Sequence, residues 1–93
     1  MRVVAETNTD GGTTLLLAGT LNGACVADIE AALAMAKRVP APIAMDFSRV
    51  RLIDRPMLRY LIDAIDHGVR AVNCPEHVAR WMRRESGEVG SQG

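Results

Sequence analysis

The sequence predicts a single α/β domain, a mixed sheet of about four strands with three helices. Three observations carry that expectation. Strand-like and helix-like segments alternate at short spacing through the 93 residues, a pattern of crossover connections rather than of a sandwich or bundle. Two Val-, Leu- and Thr-rich runs flank Asn8-Thr9-Asp10-Gly11-Gly12, whose turn chemistry suits a hairpin. An amphipathic segment after Pro56 lies between two short apolar runs, and a strand, helix, strand succession of that length implies a right-handed parallel crossover. A chain this long builds one core and no second domain.

Taken in order, 1–7 and 13–19 are the hairpin strands and should pair antiparallel. A helix is expected over 22–38, with its apolar stripe at Val26, Ile29, Leu33 and Ala36 and its end before Pro40-Ala41-Pro42. The run 42–47 reads as a buried central strand. The second helix starts with Pro56 at its first position, where the missing N–H costs nothing, and buries Leu58, Leu61, Ile62 and Ile65 at i, i+3, i+4, i+7. Arg59, Tyr60, Asp63 and Asp66 then face outward. His67-Gly68 ends that helix, and 69–73 is the last strand. Pro75 opens a short third helix with Val78, Trp81 and Met82 inward. The domain is placed at 1–85, and the Ser-, Gly- and Glu-rich 86–93 reads as a flexible tail. The core is expected at Leu15, Leu17, Ile43, Met45, Leu58, Leu61, Ile62, Ile65, Val72 and Trp81.

Composition narrows the function classes. At 48% hydrophobic and 24% charged the chain is ordinary for a soluble globular protein. It has no apolar run near the roughly 18 to 20 residues of a membrane span, and no signal peptide, which points to the cytoplasm. The formal net charge of zero argues against nucleic acid or an anionic membrane as main partner. Cys25 and Cys74 read as two reduced thiols. His67 and His77 have no metal-ligand spacing to each other or to the cysteines, and Asp10-Gly11-Gly12-Thr13 lacks the lysine of a phosphate-binding loop. No catalytic residue, metal or cofactor is therefore expected.

The most informative stretch runs from Asp46 to Leu58, Asp-Phe-Ser-Arg-Val-Arg-Leu-Ile-Asp-Arg-Pro-Met-Leu. Read as a strand end, a loop and a helix start, it resembles the switch segment of STAS domains, the small domains of anti-sigma-factor antagonists and sulfate-transporter tails. Asp46, Ser48, Val50, Ile53, Asp54 and Leu58 fall at the spacing of that family's Asp-x-Ser-x-Val-x-x-Ile-Asp-Ser-Ser/Thr-Gly-Leu. Arg55 and Pro56 replace its Ser-Ser/Thr pair, the second of which a partner kinase phosphorylates, and Met57 replaces its glycine. Gly19, Leu21 and Asn22 keep the outline of its Gly-x-Leu-Asp pattern. The resemblance covers about residues 13–84 and implies a STAS-like fold, a cytoplasmic regulatory module that switches partners, and a docking site at the start of the second helix. Without the hydroxyl, phosphate cannot be carried there. The resemblance also admits a small STAS subunit of a lipid-transporting ABC system, or a small-ligand or nucleotide sensor.

The candidate partner-binding residues are Asp54, Arg55, Pro56, Arg51, Arg59, Tyr60 and Asn22. Asp54 reads as the cap of the second helix, where a carboxylate meets unpaired N–H groups and the positive end of the dipole. Pro56 removes a donor and Asp54 repels anions, which disfavours a nucleotide at this helix start. The arginines present rigid forks suited to an acidic protein patch, against the plainer reading of solvated charges pairing internally, Arg59 with Asp63 at i, i+4. Asp46 reads as a strand-ending residue that accepts bonds from the following loop, with Ser48 in a local turn. Asn22 is expected in a loop beside the switch segment. The expected partner is a protein of the anti-sigma-factor or kinase type or an ABC subunit, with no nucleic acid, no direct membrane insertion, and a homodimer open to it.

Overall fold

Strand and helix alternate as expected in the computed structural model, which describes residues 2–90. The elements are β1 (Arg2–Thr7), β2 (Thr13–Leu21), a 3₁₀ turn (Gly23–Cys25), α1 (Val26–Ala36), β3 (Ile43–Ile53), α2 (Arg55–Asp66), β4 (Arg70–Val72) and α3 (Glu76–Gly90). The four strands form one mixed sheet in the order β1-β2-β3-β4. β1 runs antiparallel to β2, and β2, β3 and β4 run parallel. The hairpin closes through Asn8 and Gly12, whose N–H and carbonyl bond at 2.8 Å. Gly12 is obligatory there, since a Cβ would stand 2.5 Å from the Pro42 carbonyl oxygen.

All three helices cover one face of the sheet. Leu15 and Leu17 of β2, Met45 and Phe47 of β3, Ile29 and Leu33 of α1, Met57 and Leu61 of α2 and Val78 of α3 form a single buried cluster. Of the expected core, Leu15, Leu17, Met45, Leu58 and Leu61 are buried. Ile43, Ile65 and Trp81 pack half-buried against the cluster, and Ile62 and Val72 are half-buried. The opposite face is open and carries a cleft of about 460 Å³ lined by Arg2, Val4, Leu16, Ala18, Ser48 and Arg49.

The largest departure from the sequence reading is β3. It does not stop at Phe47 but continues to Ile53, so Ser48–Ile53 is strand rather than loop. Its partner is the second half of β2, through Ala18↔Arg49, Gly19↔Val50, Thr20↔Leu52 and Leu21↔Ile53. Between Leu16↔Asp46 and Ala18↔Arg49, and again between Gly19↔Val50 and Thr20↔Leu52, β3 advances one residue more than β2. These two bulges break the period of two, which hides the strand from a pattern reading. Ser48 and Arg49 are both exposed and Val50 is buried. Gly19 at φ +86° supplies the backbone geometry of the second bulge.

Three smaller differences concern the helices. The segment expected to be helical from Asn22 begins with the 3₁₀ turn, and α1 proper starts at Val26. Pro56 occupies the second position of α2, after Arg55. α3 is not short: it runs to Gly90, through the first part of the expected tail, and residues 91–93 of that tail lie outside the described residues.

Candidate functional site

The parallel strands β2 and β3 end side by side at Leu21 and Ile53, and the loops that leave such ends are where α/β sheets assemble sites. The Asp54 N–H donates to the Leu21 carbonyl at 3.0 Å, stitching the two exits together. Asp54 is extended, as an N-cap requires, and its Oδ1 accepts the Met57 N–H at 3.0 Å. Its Oδ2 accepts the Gly23 N–H at 2.9 Å. One carboxylate thus caps α2 and holds the start of the 3₁₀ turn, and a Cβ added at Gly23 would lie 3.4 Å from the Pro56 Cβ. Asn22 sits on this loop as expected, its Oδ1 accepting the Cys25 thiol at 3.3 Å.

Met57, at the position of the family's glycine, is fully buried in the core. The helix start is therefore plugged from beneath by a large side chain, which leaves little play between α2 and the sheet. Nothing in the helical stripe Leu58, Leu61, Ile62, Ile65 singled it out. Met57 falls four residues before Leu61 and so belongs to the buried face.

The arginines are not a loose fringe. Glu85, a buried charged residue of α3, takes Arg55 Nε on Oε1 at 3.2 Å and Arg59 Nε on Oε2 at 2.9 Å. Its side chain is 11% exposed, against 61% for Arg55 and 67% for Arg59. The hydrogen bond from Arg59 chiefly, joined by Arg55 and outweighing burial, holds the Glu85 carboxyl below the usual glutamate range. This corrects two expectations. Arg59 pairs across to α3 rather than with Asp63, which meets His67 instead at 3.5 Å. Arg55 also ties α2 to α3, so its role is partly structural. Glu85 was missed because the pairing is made across 30 and 26 residues of sequence.

The remaining candidates divide by location. Arg51 is exposed near the end of β3, next to Leu52, a large apolar residue left 57% exposed. Leu52 gives no signal in the sequence, because the bulges of β3 hide the strand that carries it. Tyr60 lies on the other side of α2, lining a groove toward α1 with Glu30, Leu33, Lys37 and His67. Burial, with help from Glu30 and Asp63, pushes its phenol up. The structure therefore brings Asn22, Asp54 and Pro56 together, sets Arg55 and Arg59 on the α3 side, and separates Tyr60 from both.

Asp46 does not end β3 but lies within it, at the last pair of the β3–β4 ladder. Its Oδ1 accepts the Ser48 N–H at 2.8 Å and hydroxyl at 2.6 Å. Its Oδ2 accepts the amide of Asn73 at 2.7 Å. Asn73 follows β4 at φ 52°, a conformation asparagine tolerates. Burial alone would raise the Asp46 carboxyl, yet the bonds from Ser48 and Asn73 and the charge of Arg49 bring it below its ordinary value. The motif's first aspartate is a latch between strands.

The Cys25 thiol donates to Asn22, and burial pushes the Cys74 thiol up. Among the described residues no group of three or more His, Cys, Asp or Glu could hold a metal ion, and no helix is long and apolar enough to cross a membrane.

No protein-family model matches the chain, and no curated protein sequence matches it. Solved structures do. The anti-sigma factor antagonist SpoIIAA in its unphosphorylated form aligns over 99% of both chains at a TM-score of 0.68 and 16% identity. An uncharacterized protein of the DUF3478 family with a SpoIIAA-like fold, from Shewanella loihica PV-4, aligns at 0.59 and 15% identity over 95% of this chain and 77% of that one. The chain thus has a SpoIIAA-like fold, a four-stranded mixed sheet with three helices among the described residues.

Proposed function

We propose that this chain is a cytoplasmic, non-enzymatic interaction module of the anti-sigma-factor-antagonist kind, whose docking surface is the joined exit of β2 and β3 and whose phosphorylation switch is lost. The observation that carries the reading is Asp54, which binds the Gly23 and Met57 N–H groups at once and makes the two loops one surface. Around it lie Asn22, Pro56, Arg51 and the exposed Leu52, an apolar and cationic mixture of the sort that concentrates binding energy. Arg55 and Arg59 add charge at the rim while anchored to Glu85. Tyr60 belongs to this surface only if the partner also reaches the α1–α2 groove.

No hydroxyl stands between Asp54 and Leu58. The nearest motif hydroxyl, Ser48, is engaged with Asp46. Binding is then governed by the amounts of module and partner rather than by a kinase. The partner class is an anti-sigma factor or a related kinase. A lipid-transporting ABC system is the second reading, since its STAS subunit would share the fold.

The test is affinity purification from the native host, followed by titration of the recovered partner against Leu52→Asp, Arg51→Glu and the distant control Arg83→Glu. Recovery of an anti-sigma factor or kinase, with binding weakened by about 2 kcal/mol or more in the first two variants only, supports the reading. Recovery of an ATPase with its permease replaces it by the second. Stoichiometric phosphate on Ser48 that alters binding overturns the lost switch.

A further inference from the structure

We infer that the chain forms a two-fold symmetric dimer by pairing β1 antiparallel with β1 of a second copy, extending the sheet across the interface. β1 is an edge strand of six residues, and among the described residues no strand pairs with its outer side. The other edge strand, β4, has only three residues. A long unblocked edge is a template for another strand, and three features of β1 select an identical strand as its occupant.

The first is charge. In an antiparallel pair centred on Val4, Arg2 of one copy stands opposite Glu6 of the other, twice by symmetry, and Val3 stands opposite Ala5. Among the described residues neither Arg2 nor Glu6 makes an ion pair or side-chain hydrogen bond within the chain. The edge therefore carries one hydrated cation and one hydrated anion, neither in an ion pair among the described residues, at positions that face each other in the self-paired register.

The second is the centre of that register, which must face its own copy and so cannot bear a charge. Val4 is there, and it is 40% exposed in the single chain. The third lies on the helix side of the edge. A groove of about 260 Å³ between β1 and α1 is lined by Val3, Ala5, Ala32, Met35 and Ala36 with Glu6 and two threonines at its side, and Met35 is 68% exposed. A second copy at the edge would bring its own α1 toward this groove and cover both methionines. The surface is the outer edge of β1, whose pairing with β2 runs from Arg2↔Ala18 to Thr7↔Thr13 and stops short of the exits at Leu21 and Ile53, and the inference does not rest on the proposed function.

The test is a charge swap read by sedimentation equilibrium. Wild type should sediment at twice its 10.0 kDa mass. Arg2→Glu and Glu6→Arg, each shown to be folded by circular dichroism, should each associate on the order of tenfold or more weakly. An equimolar mixture of the two should recover the dimer, because one chain then carries acids at both positions and the other bases. Independently, Val4→Cys in a Cys25→Ser, Cys74→Ser background should form an intermolecular disulfide with itself on oxidation, since paired Cα atoms lie about 4.5 to 5.5 Å apart. A monomeric wild type, single variants that stay dimeric, a mixture that stays monomeric or a Val4→Cys chain that resists cross-linking each overturns the inference.

Discussion

The corner where α2 begins and the edge formed by β1 use the same charged residue types to opposite ends. At the corner, Glu85 is buried and each of its oxygens holds an arginine. At the edge, Arg2 and Glu6 are exposed and neither has an ion-pair partner among the described residues. The difference teaches that the amount of charge on a surface says little about its purpose. Where a carboxylate is desolvated its partners are bound to it by necessity, because an unpaired buried charge is costly. Where it stays hydrated, it is available to another molecule at small cost to the fold.

The comparison can be broken most forcefully from beneath the corner. Met57→Gly, which introduces the glycine of the motif this segment resembles, should cost about 3 to 5 kcal/mol through a lost buried side chain and a weakened helix start. Urea denaturation followed by circular dichroism measures it, and an unchanged midpoint would mean Met57 packs for no gain. Asp54→Ala should cost about 1 to 2 kcal/mol by releasing the cap, and should expose the Gly23 amide to hydrogen exchange. Unaltered exchange at Gly23 would show that the two loops are not coupled.

Arginine reversals sharpen the contrast. Arg55→Glu places a second carboxylate against buried Glu85 and should lower the melting temperature, whereas Arg83→Glu should leave it nearly unchanged, its partner Glu76 being 71% exposed. Equal melting of the two variants would remove the distinction. The same corner has an acid signature. The folded-state carboxyl of Glu85 is depressed, so its contribution to stability is fully present above the unfolded value and is lost as pH falls through the folded one. Glu85→Gln should flatten that acid loss in pH-dependent denaturation. A remainder should persist, because Asp46 is depressed in the same sense. At the small end, Arg2→Glu should change the stability of the isolated monomer by no more than about 0.5 kcal/mol, so any larger loss at concentrations where wild type self-associates reports the interface.

Much of this molecule was legible because its signals are local. The hairpin follows from Asn8–Gly12, the burial of Leu58 and Leu61 from helical spacing, and the Asp54 cap from an aspartate just ahead of Pro56. The motif resemblance set the loop of Asn22 and Gly23 beside Asp54, where the Gly23 N–H reaches the Asp54 carboxylate across 31 residues, which no periodicity could do. The last six residues of β3 were not legible. Two bulges cancel the alternation there, and a bulge exists only relative to the strand it pairs with.

By itself, then, the sequence determined which segments could be helix or strand, which side chains needed cover, and that positions 55 to 57 hold no hydroxyl. These are properties of a residue and its near neighbours. Only the tertiary structure decided that Arg55 and Arg59 share Glu85, that Leu52 stays exposed, that Asp46 latches β3 to β4, and that β1 is left open. Each depends on what distant chain arrives opposite. Hydrogen bonds and ion pairs act over a few ångströms of space with no reference to separation along the chain.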